Sequence, residues 1–382
     1  MKNCKNELMT FFIRPLLIAL IVCGILLLFN INPLDPSASS SRKVATSNTV
    51  DTYFAIANEP GTLPVEVDSN IVLIKADACS RGDIARLLTQ VAKANPRVVG
   101  LDVVFPEPKQ QTEDEALVNS LKKLKNQLVV SCVLGDEDEK THFLNARQGN
   151  FFEGRLPDVA CGCINLMESK THMVNEFTPF FKLNDKASFP SFDLQIARMA
   201  DPAAIESFLR KRKAPSFINF RSLDFDTLEP DEAVRHPEML YHKIVLIGSL
   251  NEPADMHATP VDGKMNGLVI HAYTISTILS GRSISAMSDV GRWVLTVFIL
   301  IVFLDIIELV GRKLKKGMRL FIALCVLLSV WFFTIIGYII FIRFDYVINF
   351  SPVRLAVAMA PVFADAFAAL ETTIKQFKKK GR

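Results

Sequence analysis

Long uninterrupted runs of apolar residues lie near the two ends of the chain, and a mixed pattern fills the region between them. A run of about twenty apolar residues is long enough to cross a bilayer as a helix. The runs that approach this length cover residues 11–31, 293–310, 320–342 and 347–370. The pattern therefore predicts four transmembrane helices. A cleaved signal peptide is the alternative for the first run, because small residues follow it at 37–39.

Residues 32–291 have an ordinary globular composition and alternate between two kinds of pattern. Short, nearly continuous apolar runs, typical of strands buried on both faces of a sheet, occupy residues 71–77, 98–105, 127–134, 216–220 and 243–250. Apolar residues at helical spacing occupy residues 81–94, 114–124, 191–200, 203–213 and 267–279. Strands that alternate with helices predict an α/β fold, with a mostly parallel sheet and flanking helices.

Two stretches break this alternation. Residues 46–68 are polar and turn-rich, which predicts a linker with one edge element. Residues 135–188 mix acidic, glycine-rich and aromatic pieces, and we expect a long insertion of loops or small strands there. The predicted organisation is a first span within 1–31, an α/β domain over 32–291, three spans over 292–371 and a basic tail over 372–382.

Composition and charge placement agree with a membrane protein. Of the 382 residues, 50% are hydrophobic and 22% charged, which excludes intrinsic disorder and an ordinary soluble protein. The net charge of +3 is too small to predict nucleic-acid binding. Five basic residues lie in 311–319 and five more in 374–382, against one in 343–346. Because basic loops stay cytoplasmic and contact anionic lipid, we expect both termini in the cytoplasm and residues 32–291 outside it.

Two segments of the middle region resemble the ends of a known domain. The first is IVLIKADACSRGDIARLLTQVAKANPRVVGLDVVFPEPKQQTEDEAL, and the second contains IVLIG, DMHATPVDG and GLVIHA in that order. These motifs are similar to those of the CHASE2 domain, a bacterial extracytoplasmic sensor module. That family's usual layout is one N-terminal span, the outside domain and three further spans. The resemblance covers nearly the whole chain and implies a multi-pass sensor in the cytoplasmic (inner) membrane of a bacterium.

The same resemblance shapes the expected function. CHASE2 receptors typically continue into a cyclase, a histidine kinase or a Ser/Thr kinase, whereas this sequence stops at Arg382 after a basic tail. We therefore expect a sensor that acts in signal transduction through a separate output protein. A structural or assembly subunit of an envelope complex is the alternative. Expected partners are membrane lipid, an unknown small ligand or envelope protein, the separate signalling protein and a second copy of the chain.

Polar residues follow the predicted strands at the ends where parallel α/β sheets bind ligands. We predict that they form a pocket for a small polar ligand. The set is Asp77, Asp102, Ser249, Asp255, His257 and Thr259. Carboxylates that cap helices or tie loops are one alternative. A divalent metal site formed by two or three of the carboxylates with His257 and His271 is another. A hydrolase that uses Ser249 with His257 is a third, although no nucleophile elbow, P-loop or dinucleotide motif is present, so no enzyme activity and no cofactor are predicted.

Four of the seven cysteines fall in the predicted outside domain, at Cys79, Cys132, Cys161 and Cys163. That compartment can be oxidising, and the insertion has little apolar content of its own. We predict one disulfide, between Cys132 and either Cys161 or Cys163, which would pin the insertion to the sheet. Buried free thiols are the alternative. The CGC spacing differs from that of C-x-x-C redox enzymes, so thiol catalysis is not predicted.

Overall fold

The computed structural model divides the chain into two compact units, Asp51–Ser285 and a second unit formed by Met1–Val50 with Ala286–Arg382. It describes residues 13–30, 49–124, 126–135, 147–169, 172–183, 188–211, 216–311 and 318–380. The helices are α1 (Arg14–Asn30), α2 (49–57), α3 (Arg81–Lys93), α4 (Gln111–Leu124), α5 (Phe192–Ala200), α6 (Pro202–Lys211), α7 (Pro230–Arg235), α8 (Gly267–Ser280), α9 (Asp289–Gly311), α10 (Met318–Phe344) and α11 (Ser351–Lys380).

The first unit is built on a largely parallel sheet. Its strands are β1 (Glu66–Lys75), β2 (Val98–Asp102), β3 (Leu128–Leu134), β4 (Arg147–Gln148), β5 (Ala160–Cys163), β6 (Glu176–Phe177), β7 (Phe180–Lys182), β8 (Ser188–Pro190), β9 (Ser216–Phe217), β10 (Leu223–Leu228), β11 (Ile244–Gly248), β12 (Met256–His257) and β13 (Met265–Asn266). Two short strands lie elsewhere, β14 (Ser285–Ala286) at the boundary of the units and β15 (Tyr346–Val347) in the second unit. In the main sheet the order is β10-β1-β11-β2-β3-β5, all parallel, with the short β4 antiparallel to the end of β3. The predicted α/β class with a mostly parallel sheet is thus confirmed.

Two strand predictions need correction. The apolar run at 216–220 contributes only β9, which pairs with β6 outside the main sheet. The edge of the sheet is instead β10, which we did not predict because Leu223–Leu228 mixes the buried Phe225 and Leu228 with polar residues and lacks a continuous apolar run. An edge strand needs only one buried face, so a half-polar sequence suits it.

Helices cover both faces of the sheet. On one face, buried residues of α3, α4 and α7 share a core with β1 and β2, as Leu88, Leu121 and Ala233 do with Val72 and Val99. On the other face α5, α6 and α8 pack together. There, a Cβ added at Gly100 of β2 would lie 2.5 Å from Ile196 of α5, so a glycine is needed for the helix to approach the strand.

The region predicted as a linker contains a helix. Residues 49–57 form α2, and its Tyr53 and Phe54 are buried. Phe54 packs edge-on against Phe220 with ring centroids 6.0 Å apart. Only one face of this short helix is apolar, so the segment has a polar overall composition. For that reason the composition did not predict a helix here.

Local capping defines the ends of the helices that flank the polar edge of the sheet. Ser80 caps α3 in a reciprocal capping box with Asp83. Asn266 caps α8, where its side chain accepts from the Leu268 backbone, and Gly281 ends α8 with a φ of 66°. That left-handed conformation suits glycine and terminates the helix.

The second unit consists of long apolar helices. Three segments are long and apolar enough to cross a membrane, Asp289–Val310, Leu320–Phe344 and Ser351–Ile374, which confirms a long apolar helix at three of the four predicted positions. The last helix begins at Ser351 rather than at 347, and Pro352 lies in its first turn, where proline is tolerated. The helix continues through Pro361.

The fourth predicted span is only partly supported. In the structure α1 has 17 residues, which at 1.5 Å per residue extend about 26 Å, somewhat less than the ~30 Å hydrocarbon core. Residues 11, 12 and 31 of the predicted span lie outside the described residues. Within its unit, α1 packs through Val22 and Leu26 against Leu300 of α9 and Ala356 of α11.

Candidate functional site

Three parallel strands bring their carboxyl ends to one edge of the sheet. In the register, Lys75 of β1 lies opposite Gly248 of β11, and Gly248 lies opposite Asp102 of β2. Asp77, Ser249 and Asp102 therefore come to the same edge, as predicted. A Cβ added at Gly248 would lie 3.1 Å from Leu268 and 3.2 Å from the Cβ of Asp102. The space beside this glycine is thus filled by the protein's own side chains.

Asp77 ties the loop that follows β11. Its Oδ1 accepts a hydrogen bond from the Ser249 hydroxyl and from the backbone N–H groups of Leu250 and Asn251, both at 3.1 Å. Burial raises the pKa of Asp77, but these hydrogen bonds and the Lys75 charge outweigh it and hold the pKa below its usual value. This is the loop-tying role that stood as the alternative to ligand binding.

A buried ion pair lies between α5 and α8. His271 Nδ1 is 2.7 Å from Asp193 Oδ1, and both side chains are almost fully buried. Burial lowers the pKa of His271, but the charge and hydrogen bond of Asp193, helped by the charges of Asp102 and Asp255, raise it to about 9. His271 is therefore a cation at neutral pH, held inside a cluster of carboxylates.

Asp102 adds to this cluster a carboxyl whose pKa is raised above its usual value. Burial raises its pKa, His271 lowers it, and the charges of Asp255 and Asp193 raise it again, to about 6. A carboxyl with this pKa gains and loses a proton just below neutrality. Chemically, this end of the sheet can bind a proton or orient a cationic or hydroxylic group.

Asp255 and His257 form a second pair beside the start of α8. His257 Nε2 lies 3.3 Å from Asp255 Oδ1, and neither side chain is fully buried. A Cβ at Gly267, the first residue of α8, would lie 2.4 Å from the same oxygen. Glycine at this position is thus required for the carboxylate to approach the positive end of the helix.

Thr259, the remaining predicted site residue, forms hydrogen bonds within its own loop. Thr259 is buried, and its hydroxyl donates to the Asp262 carbonyl at 2.9 Å and accepts from the Asp262 N–H at 3.0 Å. In the described part of the chain, no group of three His, Cys, Asp or Glu side chains is arranged to hold a metal ion. Ser249 donates to Asp77 while His257 faces Asp255, so the pair proposed for a hydrolase occupies two different contacts.

Sequence reasoning missed Asp193 and weighed His271 only as a metal ligand. Both lie in helices with strongly apolar surroundings, and each occupies a position where the amphipathic pattern calls for an apolar residue. An acid and a histidine at such inward-facing positions are the signal that could have found the pair. Their pairing across two helices far apart in sequence is visible only in the fold.

Three cysteines meet on neighbouring strands. Cys132 of β3 lies opposite Cys163 of β5, and the Arg147 guanidinium is 3.2 Å from the Cys161 sulfur. All three are free thiols in this structure, and the predicted disulfide stays a prediction. A hydrogen bond from Cys132, opposed by burial and aided by Arg147, lowers the pKa of Cys161 to about 7, whereas burial raises that of Cys163 to about 12.

Comparison with known proteins identifies the family of the chain. The family model described as the CHASE2 domain matches residues 18–307, about three quarters of the chain. The matched range contains the whole α/β unit. It therefore includes the groups described above at the carboxyl ends of the strands and the start of α8, which we call the polar cluster: Asp77, Asp102, Asp193, Ser249, Asp255, His257 and His271. No curated protein and no solved structure matches the chain.

Proposed function

Because the chain belongs to the CHASE2 domain family, a family of extracytoplasmic sensors, we propose that it is a membrane-anchored sensor of conditions outside the cytoplasm that signals through a separate output protein. The family match carries this proposal. It is supported by three helices able to cross a membrane, which anchor a sensor domain of this kind.

The proposed arrangement has four spans with both termini in the cytoplasm of a bacterial inner membrane. The outward face of α1 supports its membrane location, since Leu16, Leu20 and Ile21 are each 40% or more exposed, like Trp331 and Phe298 of the longer helices. Apolar side chains on an outer surface are stable in lipid and costly in water. The basic residues at 312–319 and 375–382 then lie on the cytoplasmic side.

The proposed signal path follows the chain itself. The helix α8 begins beside the polar cluster and ends at Gly281, and seven residues after Arg282 the chain starts α9. A stimulus that binds two packings of α8 with different affinity would shift their populations and hence the position of α9. A stimulus without differential affinity would transmit nothing.

The assembly alternative receives less support. An assembly surface on the insertion would expose a broad apolar patch. Among the insertion residues that the structure describes, 147–169 and 172–183, Met167 is the large hydrophobic side chain that is exposed. A single exposed methionine is ordinary for a protein surface.

In-cell crosslinking of the full-length protein, followed by purification in mild detergent and mass spectrometry, tests the proposed function. We expect a kinase, a cyclase or a regulator to be recovered with the protein. The recovery should be lost in a variant whose residues 312–319 are reversed in order, because this change keeps the charge that orients the spans but alters the contact surface.

A variant with residues 375–382 reversed serves as the matched control, and a reporter fused after Arg382 checks that both variants keep their topology. Recovery of envelope proteins alone, crosslinked to residues 135–188, would contradict the sensor proposal and favour the assembly subunit.

A further inference from the structure

A cavity of about 320 Å³ opens in the α/β unit at the opposite end of β1 from the polar cluster. It lies where β1 and β10 begin and where α8 ends. Its floor is formed by the last turns of α8, including Ser276 and Thr277, both buried. The same helix therefore touches the polar cluster with its first turn and the cavity with its last.

The floor of the cavity is held in place by Asn219. Asn219 is 5% exposed, its Nδ2 donates to the Arg282 carbonyl at 3.0 Å, and its backbone N–H donates to the Thr277 hydroxyl at 2.9 Å. These two bonds tie the last turn of α8 to the segment that leads into β10, and both segments line the cavity. The Oδ1 of Asn219 has almost no accessible surface and is not a contact for a ligand.

The charges around the cavity have both signs. Arg221 and Arg282 contribute two guanidinium groups, and Glu66 and Asp68 contribute two carboxylates. Asp68 Oδ2 already accepts from Ser276 at 2.7 Å. At the mouth, Arg282 and Glu66 are 4.0 Å apart and each more than half exposed, so their pairing is loose and leaves both able to meet a ligand.

An apolar wall completes the cavity. Leu63, Pro64 and Val67 line it next to the charged groups, and Val67 is 56% exposed. A ligand that matches this lining carries a carboxylate for the arginines, an ammonium group for Glu66 and Asp68, and a small apolar side chain. These are the features of an amino acid, and the volume suits a molecule of that size up to a dipeptide.

We propose that this cavity binds a small zwitterion with an apolar side chain, an amino acid or a dipeptide, and that it is the stimulus pocket of the sensor, an inference that rests on the function proposed above. Occupancy links the start of β1 and β10 to the last turn of α8. Because Gly281 ends that turn and the chain continues into α9, a ligand that tightens this turn acts directly on the segment that leads to the spans.

The test is calorimetric titration of the full-length protein in detergent with L-leucine, L-valine, L-phenylalanine and the dipeptide Leu-Leu as probes. Leucinamide lacks the carboxylate and 4-methylpentanoic acid lacks the amine, so both serve as matched ligands. We expect at least one probe to bind, and both matched ligands to bind at least about tenfold more weakly, because each loses one charged contact. Tighter binding of Leu-Leu than of leucine would identify the ligand class as a short peptide rather than a free amino acid.

Variants locate the binding site. Arg282→Gln is expected to weaken binding about fivefold, since its side chain is partly exposed, and Arg221→Gln about tenfold or more. Arg235→Gln, an exposed arginine on α7 outside the cavity, is the control and should leave binding unchanged.

Two results would overturn the inference. The first is the absence of binding by every probe. The second is binding that survives both cavity variants and is lost in Asp255→Asn, which would place the ligand at the polar cluster while the sensor proposal stands. Binding in the cavity without any crosslinked output partner would support the pocket and contradict the proposed function instead.

Discussion

The buried pair of His271 and Asp193 makes the stability of the α/β unit depend on pH in a defined direction. The pKa of His271 is about 9 in the folded protein, against 6.5 as its usual value. A raised pKa means that the folded state binds the proton more tightly than the unfolded state. The resulting stabilisation is complete below pH 6.5 and is lost as the pH rises through 9.

The size of the effect follows from that difference. A shift of roughly 2.5 pKa units corresponds to roughly 3 kcal/mol at 1.36 kcal/mol per unit. With a urea dependence of about 2 kcal/mol per molar, the unfolding midpoint should fall by about 1.5 M between pH 6.5 and 9.5. Asp102, whose pKa is about 6, contributes in the same direction mainly below this window. Cys161, whose pKa is about 7 against 9 as its usual value, titrates inside the window in the opposite direction. The wild type and each variant are therefore compared in a Cys161→Ser background, in which the window isolates the histidine.

Urea titrations of the full-length protein in detergent measure this, with the unfolded fraction of the α/β unit determined by pulse proteolysis at each pH. In Asp193→Asn the midpoint should be lower at pH 6.5 and nearly independent of pH, because the counter-ion that raises the pKa is gone. His236→Gln, which removes an exposed histidine paired with Glu238 at 3.0 Å, is the control and should keep the wild-type dependence. Equal wild-type midpoints at pH 6.5 and 9.5 would refute the reasoning.

Three further outcomes are expected. Gly162→Ala should lower the free energy of unfolding by about 1–3 kcal/mol, because the new Cβ would lie 2.5 Å from the backbone of Phe192, whereas Gly263→Ala meets open space and should leave the urea midpoint unchanged. Asp77→Asn should cost about 1–3 kcal/mol at pH 7, and this cost should shrink as the pH falls below 3.8 and through the depressed pKa of Asp77, because the stabilisation is lost as the carboxylate is protonated in the folded state. A cost that stays constant as the pH is lowered would contradict this. Cys161 should react with iodoacetamide at pH 7 well before Cys163, and peptide masses that are identical with and without reductant would end the disulfide prediction.

The sequence predicted the features that depend on short segments. Continuous apolar runs identified β1, β2, β3 and β11, because a strand buried on both faces needs them. Helical spacing likewise identified α3, α4, α5, α6 and α8 with small errors at their ends. The same local rules did not predict β10 or α2. Each of these elements is buried on one face only, so its sequence lacks the continuous apolar pattern on which the rules depend.

The candidate site was predictable only in part, for the same reason. Position after a strand end was sufficient to bring Asp77 and Ser249 together, because neighbouring parallel strands place their ends side by side. Nothing local indicated that Thr259 closes its own turn. Nor did sequence indicate that Gly248 admits the packing of α8 rather than a ligand.

By itself the sequence determined the class of the fold, three helices long and apolar enough to cross a membrane, and the family, since each depends on composition and spacing within a few tens of residues. The tertiary structure alone decided which charges meet. Asp193 and His271 are separated by 78 positions and become a buried ion pair only when α5 and α8 pack on the same face of the sheet. Likewise, the cavity combines residues from three separate stretches of chain, Glu66, Arg221 and Arg282 among them. Electrostatic interaction and burial depend on distance in space, and that distance is set by the packed fold.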